Sequence, residues 1–415
     1  MAKRFVFVLC VLFTIPALFA AELFEAIPQK FRAQAMSIGG ENRGVHVKMN
    51  GDALPDADVT VPLGGVSYPV AYRNVECRGN GGVFPSAGSS CRNGEDYSVE
   101  FWFSSVGFPS VLTRHAGYVA GIISAPNGKV YEILPGAEGE VLRESHGRPE
   151  CGVDAEFEAH SLSLAPTANQ TPIRRRAVAH GPNYVVDLAE FWTPLAEAGA
   201  GGRAQMEVVV RSAVDILNSD TRQSDIKNLQ FRLVYVGSVN HTEGTDSSAS
   251  ELSRFSQNLE VASVRNSTGA DLCGIWTEND GAIANAPRSR GGFSPVSGFH
   301  KVGRRGGLSR HTYSHEVYHN FGGQHDAANV SAIAGEPYPF ARDMCTQSWY
   351  TILSYGTCVP IGKDVPTIPY ITNPDLNYNG VRLGDPNTMD NARMVRLSMG
   401  WVASYLPGEV TSKAP

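Results

Sequence analysis

The run HEVYHNFGGQHD, residues 315–326, decides how the C-terminal half of this chain is read. It holds His315, Glu316, His319, Gly322 and His325 in the spacing H-E-x-x-H-x-x-G-x-x-H. On a helix, residues four apart share a face, so the imidazoles of His315 and His319 lean toward one point. Two nitrogens do not make a catalytic zinc site, and a third ligand has to come from beyond the helix. Gly322 tolerates the positive φ that ends a helix and turns the chain sharply, so His325 can swing back beneath the other two. Three neutral imidazoles leave one tetrahedral position open, which separates a catalytic zinc from a structural one. Glu316 stands beside that position as the general base. A bare H-E-x-x-H recurs by chance; the extended pattern, with glycine where the turn needs it, is far more specific.

Outward from this run, Tyr313, Val317 and Phe321 repeat every four residues, about 200° around the helix from His315. They are expected to bury its back against a sheet. Upstream, PNYVVDL reads as a strand and QMEVVVRSAVDILNSD as a helix, with Met206, Val209, Val210, Ala213 and Leu217 at helical spacing. LQFRLVYV alternates as a second strand, SELSRFSQNLEVASV reads as a second helix and ADLCGIWT as a third strand. Strands alternating with helices indicate a mainly parallel α/β sheet. GGFSPVSGFHKV, with its proline and glycines, is expected at a sheet edge. NARMVRLSMGWVASYL is a final helix.

The 315–326 segment resembles the active site of the metzincin metallopeptidases. Asp326, directly after the third histidine, makes it most similar to the reprolysin (adamalysin)-like branch, including secreted bacterial members. The likeness continues through WYTILSYGTCVP (349–360) and ITNPDLNYNG (371–380) and covers roughly residues 180–400. It implies a twisted, mainly parallel sheet with an antiparallel edge strand and a small irregular C-terminal subdomain from Pro366. It also implies Zn2+ on His315, His319 and His325, and protein or peptide substrates lying along the edge strand near Phe293–Val302. At Leu353 the chain departs from the family, which has a methionine there as an apolar floor under the histidines. Leucine is close in volume, and such swaps usually cost less than about 1.5 kcal/mol. Tyr355 matches a tyrosine that some metzincins use to steady the oxyanion; its other reading is a packed turn residue.

The chain has 415 residues, 18% of them charged and 42% apolar, which is ordinary globular composition with room for two domains. A formal net charge of −6 gives no reason to expect nucleic acid as a partner. Lys3 and Arg4 precede an apolar run from Phe5 to Phe19, then Ala20 and Ala21, the layout of a secretory signal peptide. Read as a membrane anchor, the run falls short of the ~20 residues needed to span a bilayer. No other segment is long and apolar enough, so the mature protein is expected to be secreted, with no membrane span. From about residue 40 to 165, short alternating runs broken by Gly, Pro, Asn and Asp indicate β-structure, including a hairpin that turns at Asn127-Gly128. TANQTPIRRRA, residues 167–177, is a polar linker ending in Arg174, Arg175 and Arg176, a target for proteolysis if exposed and otherwise a solvated charge run. The expected division is a signal peptide at 1–21, a β-rich propeptide domain at 22–176 and a zinc metallopeptidase domain at 177–415.

Of seven cysteines, Cys10 leaves with the signal peptide. Cys77 with Cys91, and Cys345 with Cys358, are expected local disulfides in an oxidising compartment. Cys151 sits in PECGV (149–153), similar to the cysteine-switch segments of reprolysin and matrix-metalloproteinase propeptides. A thiolate on the open zinc position would exclude the water and make the propeptide an inhibitor. The competing readings are a Cys151–Cys273 disulfide and a plain buried thiol. The functional expectation is a secreted zinc endopeptidase made as a zymogen. The rival is a catalytically inactive metzincin-like module acting in adhesion or inhibition; Leu353 alone speaks for it, and Glu316 speaks against it.

Overall fold

The computed structural model describes residues 21–22, 24–25, 45–49, 59–63, 66–78, 96–103, 105–126, 128–136, 139–145, 184–244, 247–330, 337–360 and 363–406. Residues 1–20, Asn127, Cys91, Cys151 and Arg174–Arg176 lie outside them, and with them the readings of the leader, of one disulfide, of the cysteine switch and of the linker.

The N-terminal half forms one ten-stranded sheet. Its first strands are β1 (Ala21–Glu22), β2 (Phe24–Glu25), β3 (Val45–Met49), β4 (Val59–Leu63) and β5 (Val66–Arg78). After them come β6 (Asp96–Phe103), β7 (Ser110–His115), β8 (Tyr118–Ser124), β9 (Val130–Gly136) and β10 (Gly139–Glu144). From β5 to β10 each strand pairs antiparallel with the next. The turn between β8 and β9 closes where Gly128 takes a φ of +78°. Alternation splits the side chains between two faces. Tyr97, Val99, Phe101, Leu112, Val119 and Ile133 bury one core, while Val111, Ala120, Ile122 and Leu134 join the core of the C-terminal half.

That half begins with β11 (Tyr184–Trp192), α1 (Pro194–Ala200), α2 (Arg203–Gln223) and β12 (Leu229–Ser238). Next come α3 (Ser248–Ser256), α4 (Leu259–Thr268), β13 (Leu272–Thr277), β14 (Ile283–Ala284) and β15 (Phe299–Gly303). The zinc-motif helix α5 (Thr312–Asn320), the hairpin β16 (Asn373–Tyr378) and β17 (Val381–Leu383), and α6 (Asn391–Val402) complete it. The single helix expected over residues 250–264 is two, because Asn258 caps a new start by accepting from the amides of Glu260 and Val261.

The five-stranded sheet runs β12-β11-β13-β15-β14, parallel throughout except for the antiparallel edge strand β14. The stretch Phe293–Val302, expected to be that edge, is instead interior where it is a strand: β15 has β13 on one side and β14 on the other. Its proline and first glycines fall in short 3-10 turns, Arg290–Gly292 and Pro295–Ser297, before the strand starts. The edge strand is Ile283–Ala284. Helices cover both faces. Leu188, Trp276 and Val302 pack with α2 and with Tyr313, Val317 and Phe321 of α5, the expected buried stripe. On the other face, Phe191, Cys273 and Ile275 pack with Leu252 and Phe255 of α3. No helix among the described residues is long and apolar enough to cross a membrane.

Candidate metal centre

Helix α5 starts from an unusual backbone: Arg310 and His311, neither a glycine, have φ of +49° and +62°. Such strain persists only where the surroundings hold it. Here Arg310 Nη1 donates to the Val365 carbonyl at 2.9 Å and its guanidinium pairs with Asp364. His311 Nδ1 lies 2.9 Å from Asp220 Oδ2, and Ser314 donates to the same oxygen at 2.6 Å. The first turn of the helix is therefore fixed one residue ahead of His315.

The three histidines meet as the spacing implied. His315, His319 and His325 are buried, with one ligand atom of each within 4.8 Å of the others. His315 Nδ1 lies 2.7 Å from the Ile352 carbonyl, and His319 Nδ1 lies 2.8 Å from the Gly323 carbonyl. A carbonyl only accepts, so both Nδ1 atoms carry the proton and both Nε2 lone pairs face inward. His325 Nε2 is 3.2 Å from His315 Nε2 and 2.9 Å from His319 Nε2. For zinc–nitrogen bonds of ~2.0–2.1 Å, tetrahedral ligands stand about 3.4 Å apart, close to this spacing. Burial, reinforced by the cluster itself, holds the His319 and His325 imidazoles well below their usual pKa, in the neutral form that binds metal. An all-imidazole donor set suits zinc, so residues and ion fit.

Gly322 turns the chain with a φ of +82°, and a Cβ there would lie 2.8 Å from the Pro287 carbonyl. Leu353 is fully buried beneath the turn, its Cδ1 2.7 Å from where a Gly323 Cβ would sit. Two aspartates hold this floor. Asp326 accepts from Ser354 Oγ at 2.7 Å and Tyr355 N at 3.2 Å, and Asp343 accepts from Leu353 N at 2.6 Å. The Tyr355 ring packs 4.0 Å from the His325 ring, centroid to centroid. Glu316 is fully buried beside His315. A disulfide joins Cys345 to Cys358, with their Cα atoms 5.9 Å apart. Cys77 lies in β5. Cys273 is a free, buried thiol on β13, its pKa pushed up to about 12 by burial.

Sequence reading missed the network behind the helix. Glu190, fully buried, accepts from Tyr313 Oη at 2.8 Å and Trp276 Nε1 at 3.0 Å, and its Oε1 lies 3.1 Å from His300 Nε2. His300 Nδ1 in turn faces Asn320 Oδ1 at 3.2 Å, so both ends of α5 are tied to one buried carboxylate. The available signals were a carboxylate inside the apolar run YVVDLAEFW and a histidine inside FHKVG.

Residues 195–363 match the profile of Reprolysin_5, described as Metallo-peptidase family M12. A peptidyl-Asp metalloendopeptidase of Stenotrophomonas maltophilia (strain K279a) is 24% identical over 306 residues, covering 71% of this chain and 70% of its own length. One of Xanthomonas campestris pv. campestris is 24% identical over 305 residues, covering 71% and 69%. Among solved structures, the crystal structure of metalloproteinase-II from Bacteroides fragilis has a TM-score of 0.40 at 8% identity, covering 73% of this chain and 87% of that one.

Proposed function

The chain is a reprolysin-like metallopeptidase, a zinc metalloendopeptidase by class, and we propose that it is secreted as a zymogen and cuts peptide bonds with Glu316 as general base. The observation that carries this is the convergence of three inward-facing Nε2 atoms beside a buried glutamate. Zinc held by His315, His319 and His325 would supply a water of lowered pKa and a polarised carbonyl. Glu316 takes the proton from the attacking water and returns it to the departing amine. The carbonyls of Ile352 and Gly323 keep two imidazoles aimed, and Tyr355, its ring tilted against that of His325, offers a hydroxyl to the substrate carbonyl oxygen. Edge strand β14 offers main-chain groups to an extended substrate.

Latency rests on Cys151. Ser145 Oγ lies 2.6 Å from Ser309 Oγ, six residues before His315. Cys151 comes six residues after Ser145, a span of at most about 20 Å. Against the disulfide stands the free, buried Cys273.

The relatives' name extends the proposal to substrates carrying aspartate beside the scissile bond. Arg288 is the cation suited to that carboxylate. It lies four residues beyond β14 and adjoins Pro287, which sits against Gly322. Its charge lowers the pKa of both His319 and His325. A hydrogen bond to a charged group contributes ~1.5–3 kcal/mol, so Arg288→Gln should reduce the preference for an Asp peptide over its Asn counterpart by about one to two orders of magnitude. An unchanged ratio would remove Arg288 from that role.

The central test is Glu316→Gln. It should keep metal content and fold, yet lose about 100-fold or more in peptidase turnover, because only proton transfer is removed. Substantial activity in that variant, with zinc unchanged, would falsify the mechanism.

A further inference from the structure

We propose that the N-terminal sheet is a lasting part of the enzyme, a noncovalent subunit that stays bound after the linker is cut. The cut itself rests on the zymogen reading, and the persistence of the complex rests on the interface. Helix α2 has fourteen of its twenty-one residues buried, more than one apolar stripe requires. Met206, Val209, Ala213 and Leu217 form one buried apolar stripe, and Gln205, Val208, Ser212, Asp215 and Ser219 form a second buried row at helical spacing. The N-terminal sheet covers that second row. Arg78 of β5 pairs with Asp215, which also accepts from Thr113 of β7 at 2.5 Å. His115 lies 3.3 Å from Glu207, and Glu100 pairs with Arg222. Between these polar contacts, Val111, Ala120, Ile122 and Leu134 complete the core that α2 shares with the catalytic sheet.

A second grip falls on the lower part of the catalytic half. Phe108 is buried with Trp349, Ile368 and Leu383, its ring 5.9 Å from that of Tyr378. The N-terminal sheet thus holds α2 and the 349–383 segment at once, and releasing it would return both apolar surfaces to water. A sheet seated on these surfaces can remain while substrate uses β14.

The test uses the full chain with a sequence-specific protease site inserted after Arg176. After complete cleavage, native size-exclusion chromatography should return both fragments in one peak at the mass of the intact chain, separating only in denaturant. An N-terminal fragment that elutes by itself while the rest stays folded would overturn the proposal. Cleaved Asp215→Ala protein should release its fragment at lower urea than cleaved wild type; equal midpoints would mean that these contacts do not hold the two together. Co-elution does not depend on casein cleavage, so failure of the peptidase reading and failure of this one are told apart.

Discussion

Gly274 holds a hydrogen where any other residue would put a carbon into the centre of the Glu190 network. Its register explains why. Glu190 pairs with Gly274 across β11 and β13, and Gly274 pairs with His300 across β13 and β15. The two polar side chains meet over the glycine, and a Cβ there would stand 2.3 Å from both Glu190 Oε2 and His300 Nε2. Gly274→Ala should therefore destabilise the fold by about 1–3 kcal/mol, the usual cost of overfilling a packed core. A lower urea midpoint would register it; an unchanged midpoint would mean that the network has slack. At this scale the histidine cluster was legible because all three members fall within eleven residues of one another and the helix does the geometry. Glu190 and His300 are 110 residues apart, and only strand pairing joins them, so no local spacing could announce the pair.

At the scale of elements, α5 is tied to the edge of the sheet by its last residue. Asn320 Nδ2 lies 2.9 Å from the Asn285 carbonyl, 3.1 Å from that of Ser297 and 3.0 Å from that of Phe299. Asn285 comes directly after β14. Asn320→Ala would leave buried carbonyls without this donor, at about 1–3 kcal/mol, and would loosen the edge strand relative to the helix. Because substrate is proposed to pair with β14, KM should rise more than kcat falls, with zinc content kept. A fall in kcat at constant KM would instead assign the tie to the histidines. The strands and helices of this half were readable because alternation and 3.6-residue spacing are local. The edge strand was not: β14 is two residues long, too short to show a period, and the Gly/Pro signal that stood in for it belonged to turns. The break between α3 and α4 was missed because an apolar rhythm continued across the capping Asn258.

The proposed latency depends on how the two halves of the molecule hold together. The packing of the N-terminal sheet on α2 was not visible in sequence, since Arg78 and Asp215 are 137 residues apart and neither sits in a motif. If that sheet stays in place, inhibition has to come from the segment that the cut frees, and Cys151 is its one thiol, alongside His146 and His160. The uncut precursor should then be inactive and gain activity on cleavage near Arg174–Arg176. Cys151→Ser should raise the activity of the uncut precursor, since a neutral hydroxyl is a far poorer zinc ligand than a thiolate. Thiol-reactive mercurials should do the same to the wild-type precursor. A Cys151–Cys273 disulfide makes the opposite forecast, with no response to mercurials and a linked peptide under non-reducing mass spectrometry. Cys273 is fully buried within the sheet, its thiol raised to about 12 by that burial, so the linked peptide should be missing. Its detection in the latent precursor would end the switch reading, while the three histidines and Glu316 would keep their roles.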